Sequence, residues 1–149
     1  MWSEENREVM KTKTLKYNLY NKTVDVCIGT KKEIIAHVKK YYKNKVSSEV
    51  LNGLIELVSG DKYYGKSIGV PEMIDGYGYN IIYINIENYH VYKKSIYSVF
   101  VHETYHTVER IANKIGLSRK EDCAYLAGDI MEQCLQLVKE AERRVINLD

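Results

Sequence analysis

The residues best suited to chemistry lie in one short run, Val99-Phe-Val-His-Glu-Thr-Tyr-His-Thr-Val108. It contains the pattern H-E-x-x-H as His102, Glu103 and His106, inside a stretch whose spacing predicts a helix. Residues four apart on a helix leave the same face one turn apart, so the two imidazoles can share one Zn²⁺. Glu103 projects about 100° round the axis from His102 and stays clear of the ligand positions. Zinc acidifies water and polarises a carbonyl, and Glu103 can take the water's proton and pass it to a leaving amine. The bland alternative is a pair of histidines on an ordinary helix surface.

Zinc catalysis needs three protein ligands and an open position. The chain has four histidines, His37, His90, His102 and His106, and none follows His106. The longer continuation H-E-x-x-H-x-x-G-x-x-H fails, because Glu109 stands at its glycine and Ala112 at its third histidine. A downstream ligand must then be a carboxylate or a cysteine. Glu121 is the leading candidate, in Glu121-Asp-Cys-Ala-Tyr-Leu-Ala-Gly128. A turn at Gly116-Leu-Ser118 would fold the last helix back on the motif helix, and small Ala124 would let the two approach. Asp122 is adjacent and also open as the ligand. Glu109 shares the zinc face, where bonding a histidine Nδ1–H is its more natural role. Ser118-Arg-Lys-Glu121 is also a capping box, which offers Glu121 a purely structural use.

These motifs resemble the gluzincins, zinc peptidases with two histidines on one helix and a glutamate on a following one. The order of an apolar strand, H-E-x-x-H, a short loop and a glutamate three residues before Ala-Tyr-Leu is closer still to small metallopeptidases encoded by phages and prophages. The resemblance covers about residues 80–135. It implies a zincin-like fold, a Zn²⁺ cofactor, His102, His106 and Glu121 as ligands, Glu103 as general base, and a peptide or protein as substrate. Larger gluzincins carry an aspartate four residues after the ligand glutamate. Tyr125 stands there instead, with Asp129 as a substitute. Regulator-cleaving proteases of the ImmA/IrrE type also join H-E-x-x-H to a later glutamate, but their Glu-Ala-Asn-x-Phe-Ala context is absent. A third reading is a catalytically silent protein that keeps zinc for stability. The intact Glu103 argues against it.

Elements that would position the motif can be read around it. Residues 1–13 look loose, leaving 14–149 as one domain. Residues 15–28 alternate apolar and polar side chains around Asn21-Lys22, which predicts a strand pair or one long strand with a turn. Thr30-Lys-Lys-Glu33 is a capping box that should open a helix to about Tyr42. Residues 48–59 have helical spacing, halted by Gly60-Asp61. Residues 60–79, with Pro71, read as loops with one short strand near Ser67–Val70. Asn80–Ile86 is dense in β-branched residues and reads as a strand, plainly a core strand and also suited to the role of the edge strand beside a zincin's metal. A helix follows from Lys94 to about Ile115, ended by Gly116, and a last helix runs from Ser118 to about Val145. The class is α+β: a short N-terminal sheet with helices, the motif helix, and a C-terminal helix carrying the third ligand. Tyr77, Tyr79, Tyr83 and Tyr105 are candidates to hold an oxyanion, and His90 is expected in a loop off the metal.

Composition narrows the rest. The 149 residues are 45% hydrophobic and 28% charged, enough for one core. A net charge of +2 specifies no partner. The lysines at 31, 32, 39, 40, 43 and 45 are expected to form a solvated helix face rather than a nucleic-acid patch. No apolar run reaches the ~20 residues of a membrane span, and no secretory signal opens the chain, so the expected location is the cytoplasm, that of a phage-infected or prophage-bearing bacterium included. Cys27, Cys123 and Cys134 lack a paired Cys-x-x-Cys spacing and are expected to be buried free thiols.

Overall fold

The computed structural model describes residues 10–60, 62–70, 76, 78–116 and 120–146. The alternation at the start of the chain becomes an antiparallel hairpin of β1 (Lys11–Tyr17) and β2 (Lys22–Gly29). Its tight connection is closed by Asn21 at φ 51°, a left-handed conformation that asparagine tolerates better than most residues. Lys11–Lys13, expected to be loose, pair with Val26–Ile28 and extend the first strand. Two helices follow, α1 (Lys31–Tyr42) and α2 (Ser48–Gly60). The predicted capping box is formed: Thr30 Oγ1 accepts from Glu33 N, and the Glu33 carboxylate accepts from Thr30 N.

Next come β3 (Gly65–Val70), β4 (Gly78–Asn85), a single 3-10 turn (Ile86–Asn88) and the four-residue α3 (Tyr89–Tyr92). His90 lies on α3 rather than in a loop. The chain ends in α4 (Ile96–Ile115) and α5 (Lys120–Ile146). Ser95 caps the start of α4, and Gly116 closes it at φ 74°, where glycine avoids the strain a side chain would add. Ser118 and Asp61, expected at helix boundaries, lie outside the described residues, as do Pro71 and Tyr77.

The sheet is mixed, in the order β1-β2-β4-β3, with β2 and β4 parallel and both outer pairs antiparallel. One face, with Val24, Val26, Ile82 and Ile84, packs on Phe100, Ile111, Ile130 and Val138 of α4 and α5. The other, with Cys27, Tyr79, Ile81 and Tyr83, packs on Ile34, Val38, Tyr42 and Leu54 of α1 and α2. The result is an α+β protein with its sheet between two helical layers. Among the described residues, no helix is long and apolar enough to cross a membrane.

The sheet order corrects one expectation. The apolar run around Asn80–Ile86 is not an edge: β4 lies inside the sheet, between β2 and β3. A strand covered on both faces must be apolar on both, and that removes the alternation of a half-exposed strand. The edge strand beside α4 is β3, which is half-buried along most of its length. Its glycines serve close approach to α4. A Cβ on Gly65 would overlap Val99 Cγ1, and one on Gly69 would lie 2.6 Å from Arg110 Cδ. With Ser67 between them, these alternate residues make a slim strand face against which the motif helix can sit.

Two polar ties close the layers. Glu33 holds one end of the sheet together, accepting from Thr30 N, Met10 N and Arg144 Nη1, the last at 2.9 Å from α5. The Glu33 carboxyl is held below its ordinary range: burial pushes upward, but the bonds from Thr30 and Arg144 outweigh it. Tyr17 donates to Asp129 at 2.7 Å, fastening β1 to α5.

Candidate functional site

The 3.6-residue period of α4 sorts its side chains. Phe100, Thr104, Thr107 and Ile111 turn inward, while His102, His106 and Glu109 are exposed. His102 and His106 bring their Nε2 atoms to 3.1 Å, with ring centroids 4.7 Å apart and planes crossed by 78°. Two nitrogens bound tetrahedrally to one zinc at their usual bond lengths stand about 3.3 Å apart. The pair therefore fits a shared metal with little rearrangement. Glu103, only 8% exposed, lies between this pair and the core, with Oε2 3.9 Å from His102 Nε2.

The opposite wall is β3. Ser67 Oγ and Thr107 Oγ1 lie 2.6 Å apart, and Thr107 Oγ1 is 3.0 Å from the Glu103 carbonyl. Arg110 donates to Ser67 Oγ, Ser67 O and Asn80 Oδ1 at 2.9–3.2 Å. Burial lowers the Arg110 pKa, and the nearby Glu103 carboxylate works in the opposite direction. An open cleft of about 570 Å³ runs between β3 and α4, touching Tyr63, Ser67, His102, Glu103, His106, Glu109 and Arg110. A second, of about 220 Å³, reaches His102 and Glu103 from the side of Tyr64, Tyr92 and Lys94. The cleft's rim is pinned: Asn88 Nδ2 donates to Tyr63 O, Tyr92 to Lys62 O, and Tyr64 to Lys94 O.

The predicted third ligand is not brought to the pair. Glu121 is exposed on the first turn of α5 and does not line either cleft. His106 lies nine residues before Ile115, about 14 Å back along the axis of α4. Asp122, half-buried on the same turn, also does not line the clefts. Among the described residues, no third His, Cys, Asp or Glu brings a ligand atom within 4.8 Å of both imidazoles. Glu109 does line the larger cleft. Asp129 is engaged with Tyr17.

The tyrosines also sort differently. Tyr79 and Tyr83 are buried against α1 and α2, on the sheet face away from the motif, so neither can hold an oxyanion there. Tyr105 is exposed with its ring 6.1 Å from that of His106. The phenol lining both clefts is Tyr63, which sequence reasoning overlooked because tyrosine is so common here. Arg110 and Ser67 were also missed, being 43 residues apart in sequence. His90 is exposed and does not line either cleft.

A second cluster lies across the sheet. Asp25, Cys27 and His37 bring one ligand atom each to within 4.8 Å of one another and could hold a metal ion. Asp25 Oδ2 accepts from Tyr42 at 2.8 Å and lies 3.0 Å from His37 Nε2. Burial, and then the Asp25 charge, raise the Cys27 thiol well above its ordinary range. The sequence did carry a signal, a charged residue amid the strand Thr-Val-Asp-Val-Cys-Ile. The lysines of α1 behave as surface groups. Lys31, Lys32 and Lys39 line a separate cleft of about 780 Å³, with Glu87 among them.

The chain matches no protein-family model, no curated protein and no solved structure.

Proposed function

We propose that the protein is a zinc-dependent peptidase of small zincin-like architecture, with His102 and His106 as metal ligands and Glu103 as general base. The observation that carries this reading is the 3.1 Å Nε2 separation beside a nearly buried carboxylate that opens into a cleft. When bound, Zn²⁺ would supply Lewis-acid polarisation and the acidification of a water. Glu103 is placed to act as the base that would take a water's proton and return it to the leaving amine. Arg110 keeps a positive charge near this carboxylate while bracing β3 against the helix. An extended peptide adds to the β3 edge through main-chain hydrogen bonds, which brings its carbonyl past the histidines. For the third ligand, Glu109 has the advantage of lining the cleft, and Glu121 remains the choice implied by the gluzincin resemblance.

The test is zinc content and peptide-library hydrolysis on protein purified without chelator or affinity histidines. The reading expects zinc to be lost from the motif in His106→Ala. It expects Glu103→Gln to retain zinc and fold but lose at least about 100-fold in rate, the usual worth of a positioned base. Zinc loss in Glu109→Ala or in Glu121→Ala decides the third ligand. Hydrolysis unchanged in Glu103→Gln would remove the peptidase reading.

A further inference from the structure

We propose that Asp25, Cys27 and His37 form a second metal site, which takes Zn²⁺ through a carboxylate, a thiolate and an imidazole and ties α1 to β2. The inference is independent of the His102/His106 reading. The ligand atoms are already gathered, and they come from two elements that pack face to face. Oxygen, sulfur and nitrogen donors together suit zinc and disfavour magnesium or calcium.

The strongest argument is an unmet demand. Asp25 is fully buried, and His37 and Tyr42 both meet the same oxygen, Oδ2. Its other oxygen, Oδ1, is buried with no hydrogen-bond partner, and so is the hydroxyl of Thr23. Thr23, Asp25 and Cys27 alternate along β2 and therefore share the face toward α1. An unpaired buried carboxylate oxygen is expensive, and native proteins seldom leave one. A dication held by one carboxylate and one thiolate is net neutral, which is what so dry a site can tolerate. Tyr42, donating to Asp25 Oδ2, fixes the carboxylate from behind as a supporting hydrogen bond does around a zinc ligand. His37 is the ligand that reaches the surface, its side chain 16% exposed, and gives the ion a route in. Binding exchanges the Cys27 thiol proton for the metal, and the proton leaves to solvent.

Cobalt(II) titration of the full chain, stripped of metal, separates this site from the histidine pair. A thiolate ligand gives cobalt an intense sulfur-to-metal band in the near ultraviolet, whereas a site without sulfur gives none. The wild type is expected to take two equivalents and show the band. His106→Ala should lose one equivalent and keep the band. Cys27→Ser should lose the band and one equivalent, and His37→Ala should weaken the sulfur site by at least tenfold while keeping every cysteine. Zinc should raise Tm in His106→Ala, and by less in the double variant His37→Ala/His106→Ala. A wild type with no band at saturating cobalt overturns the proposal, and so does a band that survives Cys27→Ser, since Cys123 or Cys134 would then be its source. Circular dichroism of both variants checks folding. Should Cys27→Ser fail to fold, an unchanged cobalt affinity in folded His37→Ala is also refuting.

Discussion

Placing an alanine at Gly65 tests how the edge strand and the motif helix are fitted together. A Cβ there would overlap Val99 Cγ1 and sit 3.4 Å from Glu103 Cγ. Carbon atoms rest about 3.5–4.0 Å apart, so Val99 must retreat by roughly 1 Å. It cannot do so by rotation alone, because a β-branched side chain in a helix has one strongly preferred rotamer. It is also buried, in the same cluster as Phe100 and Tyr64. The strain falls on the spacing between β3 and α4. Overpacking of this kind costs about 1–3 kcal/mol, offset by about 0.4–1 kcal/mol from the stiffer unfolded chain. Gly65→Ala should therefore lose about 1–2 kcal/mol, a Tm drop of roughly 2–8 °C for a chain this long. Val99→Ala alone should lose about 2 kcal/mol through its missing methyl groups. The double variant should be more stable than the sum of the two losses predicts by at least about 0.5 kcal/mol, because truncating Val99 makes room for the new methyl. Urea unfolding of all four proteins measures the cycle. Additive losses would refute the claim that Gly65 is there to admit Val99 and Glu103.

Other perturbations probe the remaining ties. Arg110→Lys keeps the charge but loses the planar fork that serves Ser67 and Asn80, and should cost about 1–3 kcal/mol in urea unfolding. An unchanged midpoint would show that this network adds nothing to stability. Glu33 has a folded pKa below its unfolded one, so its contribution is present at neutral pH and is lost as pH falls through the carboxylate range to the folded value. Glu33→Gln should be less stable than wild type near neutrality and should flatten the fall in Tm between about pH 6 and about pH 3, while parallel curves would contradict that linkage. Tyr42→Phe removes a donor from a buried carboxylate and should cost about 1–3 kcal/mol, measured in metal-free protein. A neutral result would mean that Asp25 is satisfied without it.

Local rules explain what was legible in advance. The capping box at Thr30 and the left-handed stop at Gly116 act over one turn, and both helices begin and end about where those residues predicted. The meeting of His102 and His106 is likewise a property of helical pitch alone. The inner position of β4 was not decided in advance, because burial on both faces erases a strand's alternation and composition cannot tell an inner strand from an outer one. That Glu121 and Asp122 line neither cleft was likewise not legible, because it depends on how α5 lies against α4 and not on spacing along the chain.

By itself, the sequence determined the four long helices, the hairpin, and a pair of imidazoles with a carboxylate beside them, because each depends on residues a few positions apart. Only the tertiary structure decided which strand forms the cleft, that Ser67 and Arg110 brace it, that Tyr63 rather than Tyr79 or Tyr83 lines it, and that Asp25 and Cys27 meet His37. Those meetings depend on sheet order and on which face each strand residue takes when the layers close, and burial of the whole core sets both at once.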